Sequence, residues 1–229
     1  MSNLEAYQNE LIERAMSVGA LKFGSFVLKS GRVSPYFINA GLLNTGPILA
    51  TLADAYANTI AAAFPAESAP FDVLFGPAYK GIPFAAVTAL ALHTQHKRDI
   101  GFAYDRKEAK DHGEGGKTVG APLAGRRVLI LDDVMTSGKA VREAIGTVQA
   151  AGGEVVGVVQ LLDREEVGQG DAGRSTVTEI EEHVGGQGRV RAILRMRDLM
   201  SWLESKGMEQ ELAQMREYRS KYGLKENQK

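Results

Sequence analysis

The residues best suited to chemistry lie in VLILDDVMTSGKA, residues 128–140. An apolar run leads into two carboxylates, Asp132 and Asp133, and Thr136, Ser137 and Gly138 come immediately before a helical pattern. Backbone N–H groups at a helix start are unsatisfied and carry partial positive charge. Such a turn cradles a phosphate, with the Thr136 and Ser137 hydroxyls as further donors. Carboxylates beside a phosphate repel it unless they are occupied by sugar hydroxyls or a divalent cation. An acidic pair joined to an anion turn therefore describes a site for a ribose phosphate. The plainer reading, Ser137 as a helix cap and two solvated strand-end aspartates, explains each residue singly but not the combination. A receiver-type phosphorelay site separates its acidic pair from its acceptor. A dinucleotide site needs G-x-G-x-x-G after a strand, and none stands in that place.

Two further segments fit around this one. FGPAYKGIPFA, residues 75–85, bends at Gly76, Pro77, Gly81 and Pro83 with Lys80 inside the bend. Glycines admit close backbone approach and the lysine supplies a point charge, so beside the first motif this turn reads as a second phosphate arm, for pyrophosphate. YDRKEAKDHGEGGKTVG, residues 104–120, places Arg106, Lys107, Lys110, His112 and Lys117 among acids and glycines with almost no apolar anchor. It reads as a mobile, solvated loop, and a cationic loop of that kind suits a lid over pyrophosphate. His112 has no partner at metal-ligand spacing, so it is not taken as a metal ligand.

These turns need elements to hold them. Leu4, Leu11, Ile12, Ala15 and Val18 fall at helical spacing up to Gly19, and an alanine-rich run from Pro47 to Phe64 predicts a second helix. Between them LKFGSFVLKSGRVSPYFINAG, residues 21–41, predicts short strands in a small irregular lobe. From Phe71 the rhythm is strand and helix in turn. Strands are expected at 71–75, 100–104, 127–132, 154–163 and 190–194, with helical patterns at 82–93, 139–151 and from 198 to about 222. That alternation predicts an α/β fold with a central parallel sheet flanked by helices and ligands at the carboxyl ends of its strands. Its 229 residues suit one domain. Lys and Arg number 27 against 28 Asp and Glu, which leaves no broad attraction for nucleic acid or acidic membranes, so any anion site is local. The chain has no cysteine, which excludes disulfides, thiolate nucleophiles and Cys-based metal sites. No stretch approaches the roughly 18 apolar residues of a spanning helix, and the reading is a cytoplasmic protein.

VLILDDVMTSGKA resembles the 5-phosphoribosyl 1-pyrophosphate (PRPP) signature of the type I phosphoribosyltransferases. Taken with residues 21–41, 75–85, the basic loop RKEAKDHGEGG and LLDRE at 161–165, in that order, the chain resembles the orotate phosphoribosyltransferase family over nearly its whole length. The resemblance implies a pentosyltransferase of pyrimidine (UMP) biosynthesis, joining orotate to PRPP with Mg2+ held mainly through PRPP. It implies the type I phosphoribosyltransferase fold with a small N-terminal hood lobe: hood and helices at about 1–65, core at about 66–200, helical tail at about 201–229. Lys29, Tyr79, Lys80 and the run Asp132, Asp133, Val134, Met135, Thr136, Ser137, Gly138, Lys139 and Ala140 would bind PRPP. Phe37, Ile38, Thr136 and Arg164 would bind orotate, the planar fork of arginine suiting its carboxylate. Arg106, Lys107, Lys110 and His112 would form a catalytic loop that enters the neighbouring subunit's site, which implies a homodimer. The chain departs from the family at Ile38, where a second aromatic is common, and at Lys139, where a small residue is frequent. Two rival readings remain open here: a PRPP-sensing regulator without chemistry, disfavoured by the lysine-rich loop, and a transferase for a neutral base, disfavoured by Lys29 and Arg164.

Overall fold

The computed structural model of the chain describes residues 4–110, 116–135, 137–168 and 174–224, the side chains of residues 109, 110 and 116 excepted. Helix α1 (Ala6–Ser17) starts on a capping box between Glu5 and Gln8 and buries Leu11, Ile12 and Ala15. Strands β1 (Leu21–Val27) and β2 (Val33–Ile38) form an antiparallel pair apart from the main sheet. Helix α2 (Gly46–Ala63) carries Pro47 in its first turn, where a missing N–H costs nothing, and is buried along most of its length.

The main sheet has six strands: β3 (Val73–Gly76), β4 (Gly101–Lys110), β5 (Gly116–Gly120), β6 (Arg127–Val134), β7 (Glu154–Asp163) and β8 (Val190–Arg195), in the order β5-β4-β3-β6-β7-β8. Helices α3 (Gly81–His96), α4 (Lys139–Ala150), α5 (Thr176–His183), α6 (Met196–Ser205) and α7 (Glu209–Tyr222) complete the chain. Both faces of the sheet are covered. In β6, Leu129 and Leu131 pack with α1, α2, α3, α6 and α7, whereas Val128 and Ile130 pack with α4 and α5. This is why residues 128–131 read as an unbroken apolar run: alternate side chains enter two different cores. Burying each such side chain is worth about 1.5–3 kcal/mol.

The strand order reverses between β3 and β6: the chain runs outward from β3 to β4 and returns on the other side of β3 to build β6, β7 and β8. In an open α/β sheet, the crevice at such a reversal, beyond the carboxyl ends of the strands, is where ligands bind. The turns after β3 and β6 flank that crevice, and they belong to the segments 75–85 and 128–140 singled out above.

The expected central parallel sheet flanked by helices is present, with β5 added antiparallel to β4 at its edge. Two expectations need revision. Residues 104–120, expected as a loop, are largely a hairpin, with Lys110 opposite Gly116; an edge hairpin needs backbone pairing and little apolar anchorage. The charged tail is two helices, broken where Gly207 adopts φ +67°. Helix α5, with Ile180 as its buried residue, has too short an apolar pattern to be foreseen.

Candidate active site

The carboxyl end of β6 carries Asp132 and Asp133 into the crevice, and the chain then turns through Met135, Ser137 and Gly138 into α4. A cavity of about 240 Å³ opens here, lined by Asp132, Val134, Met135, Ser137, Gly138, Lys139, Ala140 and Glu143. Gly138 permits the turn. It adopts φ +70°, and a Cβ there would lie 2.7 Å from Thr176 Cγ2 and 2.8 Å from Arg142 Nη1. Among the described residues no side chain caps α4, so its first N–H groups remain available, and its first turn has no acidic residue. The cavity thus combines an open helix amino terminus with a nearby acidic pair.

Residues from distant elements hold this turn. The Tyr56 hydroxyl of α2 donates to the Asp132 carbonyl oxygen at 2.7 Å, and burial, with the charges of Asp133 and Asp132 behind it, pushes its phenol well above the ordinary range. The buried Gln160 of β7, register partner of Asp132, accepts from the Met135 N–H at 3.1 Å. Arg142 donates to the Ser137 carbonyl oxygen at 2.6 Å and pairs with Glu179 of α5. The Asp132 carboxylate accepts from the Asp133 N–H at 2.9 Å. Burial, then the adjacent charge of Asp133, raises its pKa to about 6.

Across the crevice, β3 ends at Gly76. A Cβ there would collide with the Gly81 carbonyl oxygen, and one on Gly81 would meet Pro77 Cδ at 2.8 Å, so this turn closes only with glycine at both places. The turn is fastened to β4, where Asp105 accepts from the Ala78 N–H at 2.6 Å. The Ala78–Tyr79 peptide is cis. Tyr79 is exposed, and Lys107 Nζ lies 5.8 Å from the centre of its ring. Lys80 reaches over the crevice to Asp133 Oδ2 at 2.7 Å. The two arms foreseen for phosphate and pyrophosphate therefore meet.

Arg164 follows β7 and is buried. It donates from Nε to Glu166 at 2.7 Å and from Nη2 to Ser34 Oγ at 2.9 Å and to the Tyr218 hydroxyl at 3.4 Å, with its guanidinium 4.3 Å above the Tyr36 ring. Burial works against its charge, but Tyr36, Glu166 and Tyr218 more than offset this, so it holds its proton more firmly than usual. Ser34 and Tyr36 belong to β2, the strand that carries Phe37. Phe37 is partly exposed, 5.6 Å from the Phe26 ring.

The structure thus brings together Lys80, Asp132, Asp133, Val134, Met135, Ser137, Gly138, Lys139 and Ala140 around one crevice, with Tyr79 and Lys107 beside it. Lys29 sits exposed at the tip of the β1–β2 hairpin, and no hydrogen bond or ion pair joins it to the acidic pair among the described residues. Ile38 lines a void of about 10 Å³ with Leu11, Leu21 and Leu161, so its side chain packs with the core. Arg106 lies on β4, Lys110 ends that strand, and Thr136 and His112 fall outside the described residues. Sequence reasoning missed Tyr56, Gln160, Arg142, Glu166 and Tyr218. Of these only Gln160 carried a signal, as a polar residue within an apolar strand.

Among known sequences, the pattern of the phosphoribosyl transferase domain family matches residues 42–186. A protein of Acinetobacter baumannii (strain ACICU) named orotate phosphoribosyltransferase is 50% identical over 213 residues, covering 93% of this chain and 94% of that protein. Among solved structures, orotate phosphoribosyltransferase of Francisella tularensis superposes with a TM-score of 0.80 at 38% identity, over 93% of this chain and 99% of the other. Orotate phosphoribosyltransferase of Mycobacterium tuberculosis H37Rv, solved in complex with PRPP, superposes with a TM-score of 0.60 at 25% identity, over 84% of this chain and 98% of the other.

Proposed function

Since the chain belongs to the phosphoribosyl transferase domain family, and within it to the orotate phosphoribosyltransferases, we propose how its own residues divide the work of that reaction. The activity is transfer of the 5-phosphoribosyl group from PRPP to orotate, giving orotidine 5'-phosphate and pyrophosphate. A bond forms between a ring nitrogen of orotate and the anomeric carbon as the bond from that carbon to the pyrophosphate oxygen breaks. Positive charge develops on the sugar while a polyanion departs, so the protein's task is electrostatic and positional rather than nucleophilic.

Asp132 and Asp133 grip the ribose hydroxyls. The run from Val134 through Ala140, Thr136 included, presents backbone N–H and hydroxyl donors to the 5-phosphate at the start of α4. The cavity lined by Asp132 through Ala140 at that open helix terminus is the observation that carries this reading. On the opposite wall Tyr79 and Lys80 receive the pyrophosphate, Lys80 leaving Asp133 to do so, and Lys29 approaches from the hood. Arg106, Lys107, Lys110 and His112, at or near the β4–β5 hairpin, close over the departing group. As the electrostatic and acid contributors, Lys110 and His112 act on the leaving oxygen. In this reading the hairpin serves the site of a second subunit, and the chain works as a homodimer.

Phe37 and the backbone at Ile38 face the orotate ring, with Thr136 and Arg164 on its polar edge. The donor set suits magnesium. Asp132, burdened by burial and by Asp133, lies where a cation is welcome, and magnesium commonly takes only one or two protein carboxylates beside substrate phosphates and water. When bound, it would neutralise charge on the pyrophosphate oxygens.

Loss of orotate absorbance on mixing the protein with PRPP and Mg2+, run beside adenine, hypoxanthine and uracil, tests the assignment. Turnover of orotate alone is the expected result, and turnover of another base with orotate untouched overturns it.

A further inference from the structure

Glu166 stands where three remote parts of the chain converge. Its carboxylate accepts from Arg164 Nε at 2.7 Å, from Arg32 Nη1 at 3.0 Å and from the Tyr218 hydroxyl at 2.9 Å. Arg32 precedes β2, donates also to the Val167 carbonyl oxygen at 3.0 Å, and lies 4.8 Å over the Tyr222 ring. Tyr218 and Tyr222 belong to α7, and the chain after it is laced to the same segment. Val167 N–H donates to the Tyr222 carbonyl oxygen at 2.9 Å and Leu224 N–H to that of Glu165 at 3.0 Å. None of these groups lines the cavity at α4.

Their common product is the pose of Arg164. Among the described residues its bonds run from Nε and Nη2, which are occupied by Glu166, Ser34 and Tyr218, so Nη1 is the nitrogen left to meet a ligand. Ser34 also ties that pose to β2, since its hydroxyl donates to the Tyr36 carbonyl oxygen at 2.7 Å, one residue before Phe37. A long, flexible side chain meets a carboxylate at full strength only if its own rotamers are held beforehand.

We propose that Glu166 and Tyr218 are positioning residues for the base, fixing Arg164 and strand β2 together so that helix α7 sets the affinity for orotate but not for PRPP. The proposal rests on the reading of Arg164 as the orotate partner.

Steady-state kinetics with each substrate varied in turn test it. In Glu166→Ala the orotate KM rises roughly tenfold or more, as expected when a buried charge loses a hydrogen-bonding partner, while the PRPP KM stays near that of the parent. Glu166→Gln, which keeps an acceptor for Arg164, recovers part of the loss. Tyr218→Phe removes one hydroxyl, raises the orotate KM several-fold, and carries the test if Glu166→Ala fails to fold. Removing a negative charge on its own would draw the orotate anion in, so an unchanged or lowered orotate KM in Glu166→Ala overturns the proposal, as does an equal rise in both KM values. Arg164→Ala separates the two layers. If it raises the orotate KM and Glu166→Ala does not, positioning fails and the Arg164 reading stands. If Arg164→Ala leaves the orotate KM unchanged, the reading itself fails. If Glu166 acts through Arg164, the double variant is no worse than Arg164→Ala, whereas multiplied losses refute that route.

Discussion

Gln160→Leu removes the side-chain acceptor that the described residues offer the Met135 N–H, while nearly conserving volume in a site that is 1% exposed. Leucine keeps the packing between β6 and β8, so the effect isolates the hydrogen bond. A buried donor left without a partner costs about 1–3 kcal/mol. At about 2–4 °C per kcal/mol for a chain of this size, Tm falls by roughly 2–12 °C. The donor lies in the turn proposed to hold the 5-phosphate, so part of the loss is felt as disorder at Met135 and the start of α4, and PRPP has to reorder it on binding. At 1.4 kcal/mol per factor of ten, the PRPP KM rises about three- to tenfold, with orotate KM little changed. Scanning calorimetry gives the first quantity and initial rates with PRPP varied give the second. An unchanged Tm together with an unchanged PRPP KM in Gln160→Leu refutes the claim that β7 holds the turn.

Because burial raises Asp132 to about 6 and PRPP hydroxyls need the carboxylate, PRPP affinity weakens as pH falls through 6; calorimetric titration between pH 5 and 8 measures this, and Asp132→Asn flattens the profile. The sign for stability is opposite: a raised acid favours its neutral form in the fold, so its charge costs stability as pH rises from about 4 to about 6, and Asp132→Asn raises Tm at pH 8 but little below pH 4. Lys110→Ala lowers kcat by about a hundredfold or more while PRPP affinity barely moves, and single-turnover rates beside equilibrium binding distinguish this from a binding role. Mixing Lys110→Ala protein with Asp133→Asn protein restores turnover if the hairpin serves a neighbouring subunit, and no recovery counts against a shared site.

The core strands and the turn from β6 into α4 were legible because their signals are local. Residues 128–133 combine an apolar run buried on both faces with two acids at its end, and residues 136–138 announce a helix start beside them. Gly76 and Gly81 were read as admitting a ligand, and the fold gives them another reason: nothing larger fits where β3 and α3 close on each other. What stayed hidden depends on sequence separation. Tyr56 meets Asp132 across 76 positions and Arg164 meets Ser34 across 130, and a hydroxyl in a helix or at a strand's start carries no mark of its distant partner. Strand β5, GKTVG, escaped notice because an edge strand paired through its backbone needs no apolar pattern. Lys29 and Ile38 were placed by resemblance alone, and the fold puts the first on a hairpin tip and the second's side chain in the core.

The ion pair between Lys80 and Asp133 has a kinetic consequence. With the lysine side chain 54% exposed and the aspartate 18%, the pair adds only about 0–1 kcal/mol to stability, so it opens readily. Yet it holds a four-carbon arm that would otherwise sweep through solvent, and restraining such an arm costs up to about 2 kcal/mol of rotamer entropy. That freedom is given up during folding. If Lys80 receives the pyrophosphate as proposed, the incoming polyanion meets a tethered ammonium and takes it over from one oxygen to another, a handover across a few ångströms instead of the capture of a swinging chain.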